Sequence, residues 1–184
     1  MENIKENRDV ILTKIKDTHK NSFFKNSVPP KLIAVSKKQE EYKIDDAIKI
    51  GHRFFGENRV QEAIQRWENR IKDYNDIELR LIGPLQTNKV KQALKIFNII
   101  ETIDREKLAK SISDNIDDNI KTKSFYIQVN TGDEVQKAGV PALEANNFIE
   151  FCKNDLSLPI IGLMCIPPEN EEPAMHFSLL RKLA

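Results

Sequence analysis

From residue 32 onward the chain alternates short, dense apolar runs with longer stretches whose apolar residues recur every three or four positions. The first pattern predicts buried strands and the second amphipathic helices. Before the alternation begins, Asn3 to about His19 places Ile4, Ile11, Leu12 and Ile15 on one stripe, which predicts an added N-terminal helix. Leu32-Ile33-Ala34-Val35-Ser36 is the first strand run, and its apolar character suggests cover on both faces. Tyr42 to Ile50 follows as a helix, with Gly51 where a C-terminal cap belongs. Arg53 to Glu57 is the second strand, and Asn58 is placed to cap the helix carrying Val60, Ala63, Ile64 and Trp67. Leu79 to Pro84 and Asn98 to Ile103 are the third and fourth strands, with a helix opening near Gln86-Thr87-Asn88 and Asp104 as the N-cap of the next. Phe125 to Asn130 precedes a glycine-bearing loop and a helix with Pro141 in its first turn. Pro159 to Cys165 is the sixth strand, and a helical pattern runs from there to Ala184.

Strands alternating with helices predict a parallel sheet, because parallel neighbours need a crossover and a helix is the usual one. A doubly wound sheet and a (β/α)8 barrel both satisfy the alternation. The first favours a glycine-rich turn after strand one, where this chain has Lys37-Lys38-Gln39. A barrel gathers its functional groups at the C-terminal strand ends, here Lys37, Asn58, Gln86, Asn130 and Met164. The expectation is therefore an α/β chain of the TIM (β/α)8 type with an added N-terminal helix. It is apparently incomplete, with about six of eight βα units, and residues 1–184 form one domain.

Composition narrows the function. With 29 basic and 28 acidic side chains the net charge is +1, so no global field draws the chain to nucleic acid or anionic lipid. The lysine-rich stretch from Lys5 to Lys25 is interleaved with acids and reads as a solvated helix face. Cys152 and Cys165 have neither CxxC spacing nor a nearby pair of histidines, which suits a reduced, cytoplasmic setting without a metal site. No apolar run is long enough to span a bilayer. Lys37 is the chemical candidate. An amine partly buried where a strand meets its loop has a lowered pKa, and the neutral form attacks aldehydes to give imines. A solvated surface lysine is the alternative at that position, and Lys38 is its immediate neighbour.

Several ordered blocks carry a resemblance that spacing does not supply. Ala34-Val35-Ser36-Lys37, Phe55-Gly56-Glu57-Asn58 with Val60-Gln61-Glu62, and Ile82-Gly83-Pro84-Leu85-Gln86-Thr87-Asn88-Lys89 resemble signatures of the pyridoxal phosphate homeostasis protein family. Thr102-Ile103-Asp104, Gln128-Val129-Asn130 with Lys137-Ala138-Gly139, and Gly162-Leu163-Met164 with Ile166-Pro167 resemble its later strands. The resemblance runs from about residue 30 to the end.

It implies a barrel related to the N-terminal domain of alanine racemase, holding pyridoxal 5′-phosphate as an imine on Lys37. The role implied is storage or delivery of the cofactor in vitamin B6 and amino-acid homeostasis, without established turnover and with apo-enzymes as recipients. Asn58 would lie at the cofactor's edge and Met164 against its ring; a helix cap and a core filler are their structural alternatives. Lys137 matches a loop lysine that would be a secondary acceptor, or is simply solvated. Where relatives carry histidine, this chain has Arg80, either an anion contact or a substitution whose head reaches water. The family's seventh and eighth strands, which supply most phosphate contacts, have no counterpart here. The expectation is a C-terminally shortened member, aggregation-prone and weak in cofactor binding. A pyridoxal phosphate-dependent racemase and a non-functional remnant are the alternatives.

Overall fold

The computed structural model describes residues 3–134 and 136–184. In chain order its elements are α1 (Ile4–Lys20), β1 (Ala34–Val35), α2 (Glu41–Lys49), β2 (Phe54–Glu57), α3 (Val60–Trp67), α4 (Arg70–Asp73), β3 (Glu78–Leu81), α5 (Val90–Ile96), β4 (Ile99–Ile103), α6 (Glu106–Ser113), β5 (Ser124–Asn130), β6 (Val140–Pro141), α7 (Ala145–Glu150), β7 (Ile160–Met164) and α8 (Pro173–Leu183). Every strand pairing is parallel. The main sheet runs β1-β2-β3-β4-β5-β7, and the two-residue β6 pairs with Val129 and Asn130 at the end of β5. This order, with each βα unit laid beside the previous one, is that of a barrel. A doubly wound sheet reverses direction partway across, and no reversal occurs here. Among the described residues no pairing joins β1 to β7, so the sheet is an open, incomplete barrel carrying six principal βα units.

Period-2 alternation divides the strands between two faces. Phe55, Leu79, Leu81, Ile100, Phe125 and Ile127 are all at most 1% exposed and join Trp67, Ala93, Leu94, Leu108 and Ile112 from the helices in one core. The opposite face carries Arg80 and Glu101, so apolar packing lies between sheet and helices while the inner face holds charge.

Four local expectations are corrected. The Leu32–Ser36 run contributes only Ala34–Val35 to the ladder, and Val35 is 43% exposed, so β1 is an edge strand rather than one covered on both faces. Asn58 does not cap α3, whose cap position is Arg59 with no side-chain cap bond. Arg105, not Asp104, occupies the corresponding position of α6. Pro141 closes β6 rather than opening a helix, and a short 3-10 turn, Ala142–Glu144, precedes α7. Gly51 is where expected, with φ +81 just beyond α2, in the left-handed region glycine enters without cost. On α1, Ile4, Leu12 and Ile15 are half-buried but Ile11 is 43% exposed, and no residue of the helix is fully buried.

Candidate functional site

The three residues singled out in the sequence all lie at the C-terminal rim of the sheet. Lys37 follows β1 by two residues, Asn58 directly follows β2, and Met164 is the last residue of β7. No hydrogen bond or ion pair among the described residues joins them, and β1 and β7 are the two edges of the main sheet.

Lys37 is exposed, against the expectation of partial burial, because β1 is an edge and the chain turns away at once. Ser36, Lys37, Lys38 and Gln39 form a turn closed by the Gln39 amide donating to the Ser36 carbonyl at 3.1 Å. Lys38 occupies the left-handed region at φ 58, a conformation that costs a residue with a side chain about 1–2 kcal/mol. No ion pair or hydrogen bond among the described residues engages the Lys37 ammonium.

Behind this turn lies a polar cluster that the sequence reading passed over. Glu57 shares the helix-facing side of β2 with Phe55, and its side chain is fully buried. Its Oε1 accepts from Ser36 Oγ at 2.7 Å, Arg66 Nη1 at 3.0 Å and Trp67 Nε1 at 3.0 Å. Arg66 also donates to the Ser36 carbonyl at 2.8 Å, the Gln39 carbonyl at 3.4 Å and Glu41 Oε1 at 3.0 Å. Burial lowers the Arg66 pKa, but the hydrogen bonds to Glu57 and Glu41 outweigh it and hold the group above its ordinary value. The available signal was parity: a carboxylate two residues after Phe55 faces the same apolar layer and requires partners.

Asn58 is half-buried, and its Oδ1 is buried without any hydrogen-bond partner. Leaving such an acceptor unpaired costs about 1–3 kcal/mol, and Glu57 Oε2 behind the turn is buried without a partner as well. The Asn58 backbone is held against the β3 loop, where a Cβ on Gly83 would lie 2.3 Å from the Asn58 carbonyl oxygen. Thr102 Oγ1 fixes that loop by donating to the Gly83 carbonyl at 2.8 Å. A groove of about 740 Å³ opens beside Asn58, with Arg59, Gln86, Lys89 and Arg105 among its lining residues.

Met164 is half-buried and in register with Gln128 of β5, whose Nε2 donates to the Ala138 carbonyl at 3.3 Å. Lys137 is engaged rather than freely solvated: it pairs with Glu134 and donates to the Pro167 carbonyl at 3.4 Å. Asn130 Nδ2 donates to the Glu134 carbonyl at 2.9 Å, which ties the same loop to the end of β5.

Arg80 is held mostly away from water by two carboxylates. Its side chain is 12% exposed and lies between Glu101, 2.7 Å away, and Glu78, 2.8 Å from its Nε. Burial lowers its pKa, but hydrogen bonds to Glu101 and Glu78 prevail and raise it. The two carboxylates engage its Nε, Nη1 and Nη2 and offset its charge. The thiol of Cys152 is buried and pushed up to about 12, by burial first and then by the Glu106 carboxylate, so it is inert as a nucleophile. Among the described residues no group of three or more His, Cys, Asp or Glu is placed to hold a metal, and no helix is long and apolar enough to cross a membrane.

Residues 18–183 match the alanine racemase N-terminal domain family. The chain is 34% identical over 187 residues to the pyridoxal phosphate homeostasis protein of Vibrio alginolyticus, covering 100% of this chain and 79% of that one. It is 38% identical over 156 residues to the Aquifex aeolicus protein of the same name, covering 83% of this chain and 66% of the relative. Among solved structures, PipY of Synechococcus elongatus with pyridoxal phosphate bound superposes with a TM-score of 0.71 at 28% identity, covering 92% of this chain and 81% of PipY. The parallel order of the strands and these likenesses agree: the chain belongs to the pyridoxal phosphate homeostasis protein family, built on the alanine racemase N-terminal domain.

Proposed function

We propose that this chain binds pyridoxal 5′-phosphate and acts in vitamin B6 and amino-acid homeostasis, holding the cofactor as an imine on Lys37 and releasing it to apo-enzymes rather than turning over a substrate. The observation that carries the reading is the placement of an unengaged lysine amine and an unpartnered buried acceptor, Asn58 Oδ1, on one strand-end rim of this fold. Imine formation is reversible, so a protein amine masks the reactive aldehyde and yields it to an incoming amine. In this reading Lys37 supplies the covalent attachment, Asn58 accepts a hydrogen bond from the bound group, and Met164 supplies polarizable packing for its ring. Arg80 contributes by holding the inner face of the sheet, and Lys137 by anchoring its loop.

The test is an absorption titration with pyridoxal phosphate on the parent chain and on Lys37→Ala. The reading predicts a saturable imine band in the parent that is absent from the variant. Equal bands in both proteins would reject Lys37 as the site. Production of D-alanine from L-alanine by the loaded protein would overturn the carrier assignment in favour of an enzyme.

A further inference from the structure

Lys37 and Lys38 are adjacent, exposed and chemically equivalent, so the backbone of their turn determines which amine meets a ligand on the rim. That turn carries a left-handed residue, Lys38, and sits at the end of an edge strand only two residues long. Neither feature holds it in place. What does is the buried cluster behind it. The Arg66 guanidinium reaches the carbonyls at both ends of the turn, Ser36 at 2.8 Å and Gln39 at 3.4 Å, while Glu57 receives the Ser36 hydroxyl at 2.7 Å. Trp67 Nε1 and Glu41 fix the two charged groups in turn. An ion pair with a fully buried carboxylate gives little net stability over apolar side chains of the same volume. Its distinguishing property is directional: a planar fork of donors sets two carbonyls at a defined separation, which apolar packing does not do.

We propose that Glu57 and Arg66 form a buried clamp that holds the Ser36–Gln39 turn in one conformation and so selects Lys37 over Lys38 as the amine that takes up the carbonyl cofactor. Both are positioning residues, and the proposal rests on the cofactor reading above. In the step they govern, the neutral amine nitrogen adds to the aldehyde carbon, gives up its two protons, and the carbonyl oxygen leaves as water while the C=N bond forms.

Two readouts test it, one of them independent of cofactor. The variants are Arg66→Lys, which keeps the charge but loses the fork, and the double variant Glu57→Gln with Arg66→Met, which leaves no unpaired buried carboxylate. Hydrogen exchange without ligand reads the Gln39 amide, which closes the turn. The clamp predicts exchange about tenfold faster in both variants, with the Phe97 amide at the end of α5 unchanged as the folding control. Borohydride trapping with pyridoxal phosphate reads selectivity: Lys37 label should exceed Lys38 label about tenfold in the parent and by no more than about threefold in the variants. Unchanged Gln39 exchange together with an unchanged label ratio would overturn the clamp. A parent chain labelled on neither lysine would defeat the cofactor reading instead, and the exchange result alone would then decide whether the clamp holds the turn.

Discussion

Arg80 lies between Glu78 and Glu101 on the inner face of the sheet, a cluster of three charges on a half-buried surface. Breaking such a cluster at one member strands the others. Arg80→Met should cost roughly 3 kcal/mol in urea denaturation, at the low end for a buried pair because Glu78 stays a quarter exposed. The triple variant Glu78→Gln, Arg80→Met, Glu101→Gln should recover most of that loss, since no uncompensated charge remains. A cost below about 0.5 kcal/mol for Arg80→Met alone would mean that the three groups behave as ordinary surface charges. Which residues the sequence exposed follows from the same logic. That Lys37, Asn58 and Met164 lie at strand ends was legible because strand ends follow from the apolar runs. The Glu57–Arg66 and Arg80–Glu101 pairs were not, because each joins residues on different elements, and pairing across elements leaves no mark in local spacing.

At the scale of elements, α1 is tied to the rest through His52, whose ring is 5% exposed. Nε2 donates to the Phe54 carbonyl at 2.8 Å, and Nδ1 accepts from Arg8 of α1 at 3.4 Å, so the ring is bound as its neutral tautomer. Burial lowers the His52 pKa, the Phe54 carbonyl opposes this, and the Arg8 and Arg53 charges add to the lowering. Between the depressed folded pKa and the ordinary value near 6.5, the unfolded chain binds the proton and the folded one does not. Stability is therefore full above about pH 6.5 and falls as the pH drops toward the folded value. Thermal melts should shift downward on acidification from about pH 7.5 to about pH 5.5, and less so in His52→Asn. An identical pH dependence in the two proteins would remove His52 from the account. Helix and strand centres were read correctly from periodicity, as was the Gly51 cap, whereas the N-caps of α3 and α6 were not. Asn58 and Asp104 are good capping residue types, but each lies one residue before the observed cap position, and hydrogen-bond geometry there is set by the strand-to-helix turn rather than by residue preference.

For the whole molecule, six βα units in unbroken spatial order were legible because hydrophobic period and crossover handedness leave few ways to arrange alternating strands and helices. Two features were not. The weak first strand reflects β1 having a partner on one side only, which a local run of apolar residues cannot signal. The short β6 arises where Val140 and Pro141 pair with the end of β5, a tertiary event without its own period. The open sheet nevertheless presents one rim on which Lys37, Asn58 and Met164 stand, and the central claim is that this rim holds pyridoxal phosphate through Lys37. Borohydride reduction after incubation with the cofactor, followed by peptide mass spectrometry, tests that claim most directly because reduction freezes the imine before it exchanges. The account predicts one label per chain, on the peptide containing Lys37. Label scattered over many lysines, or on none, would contradict it.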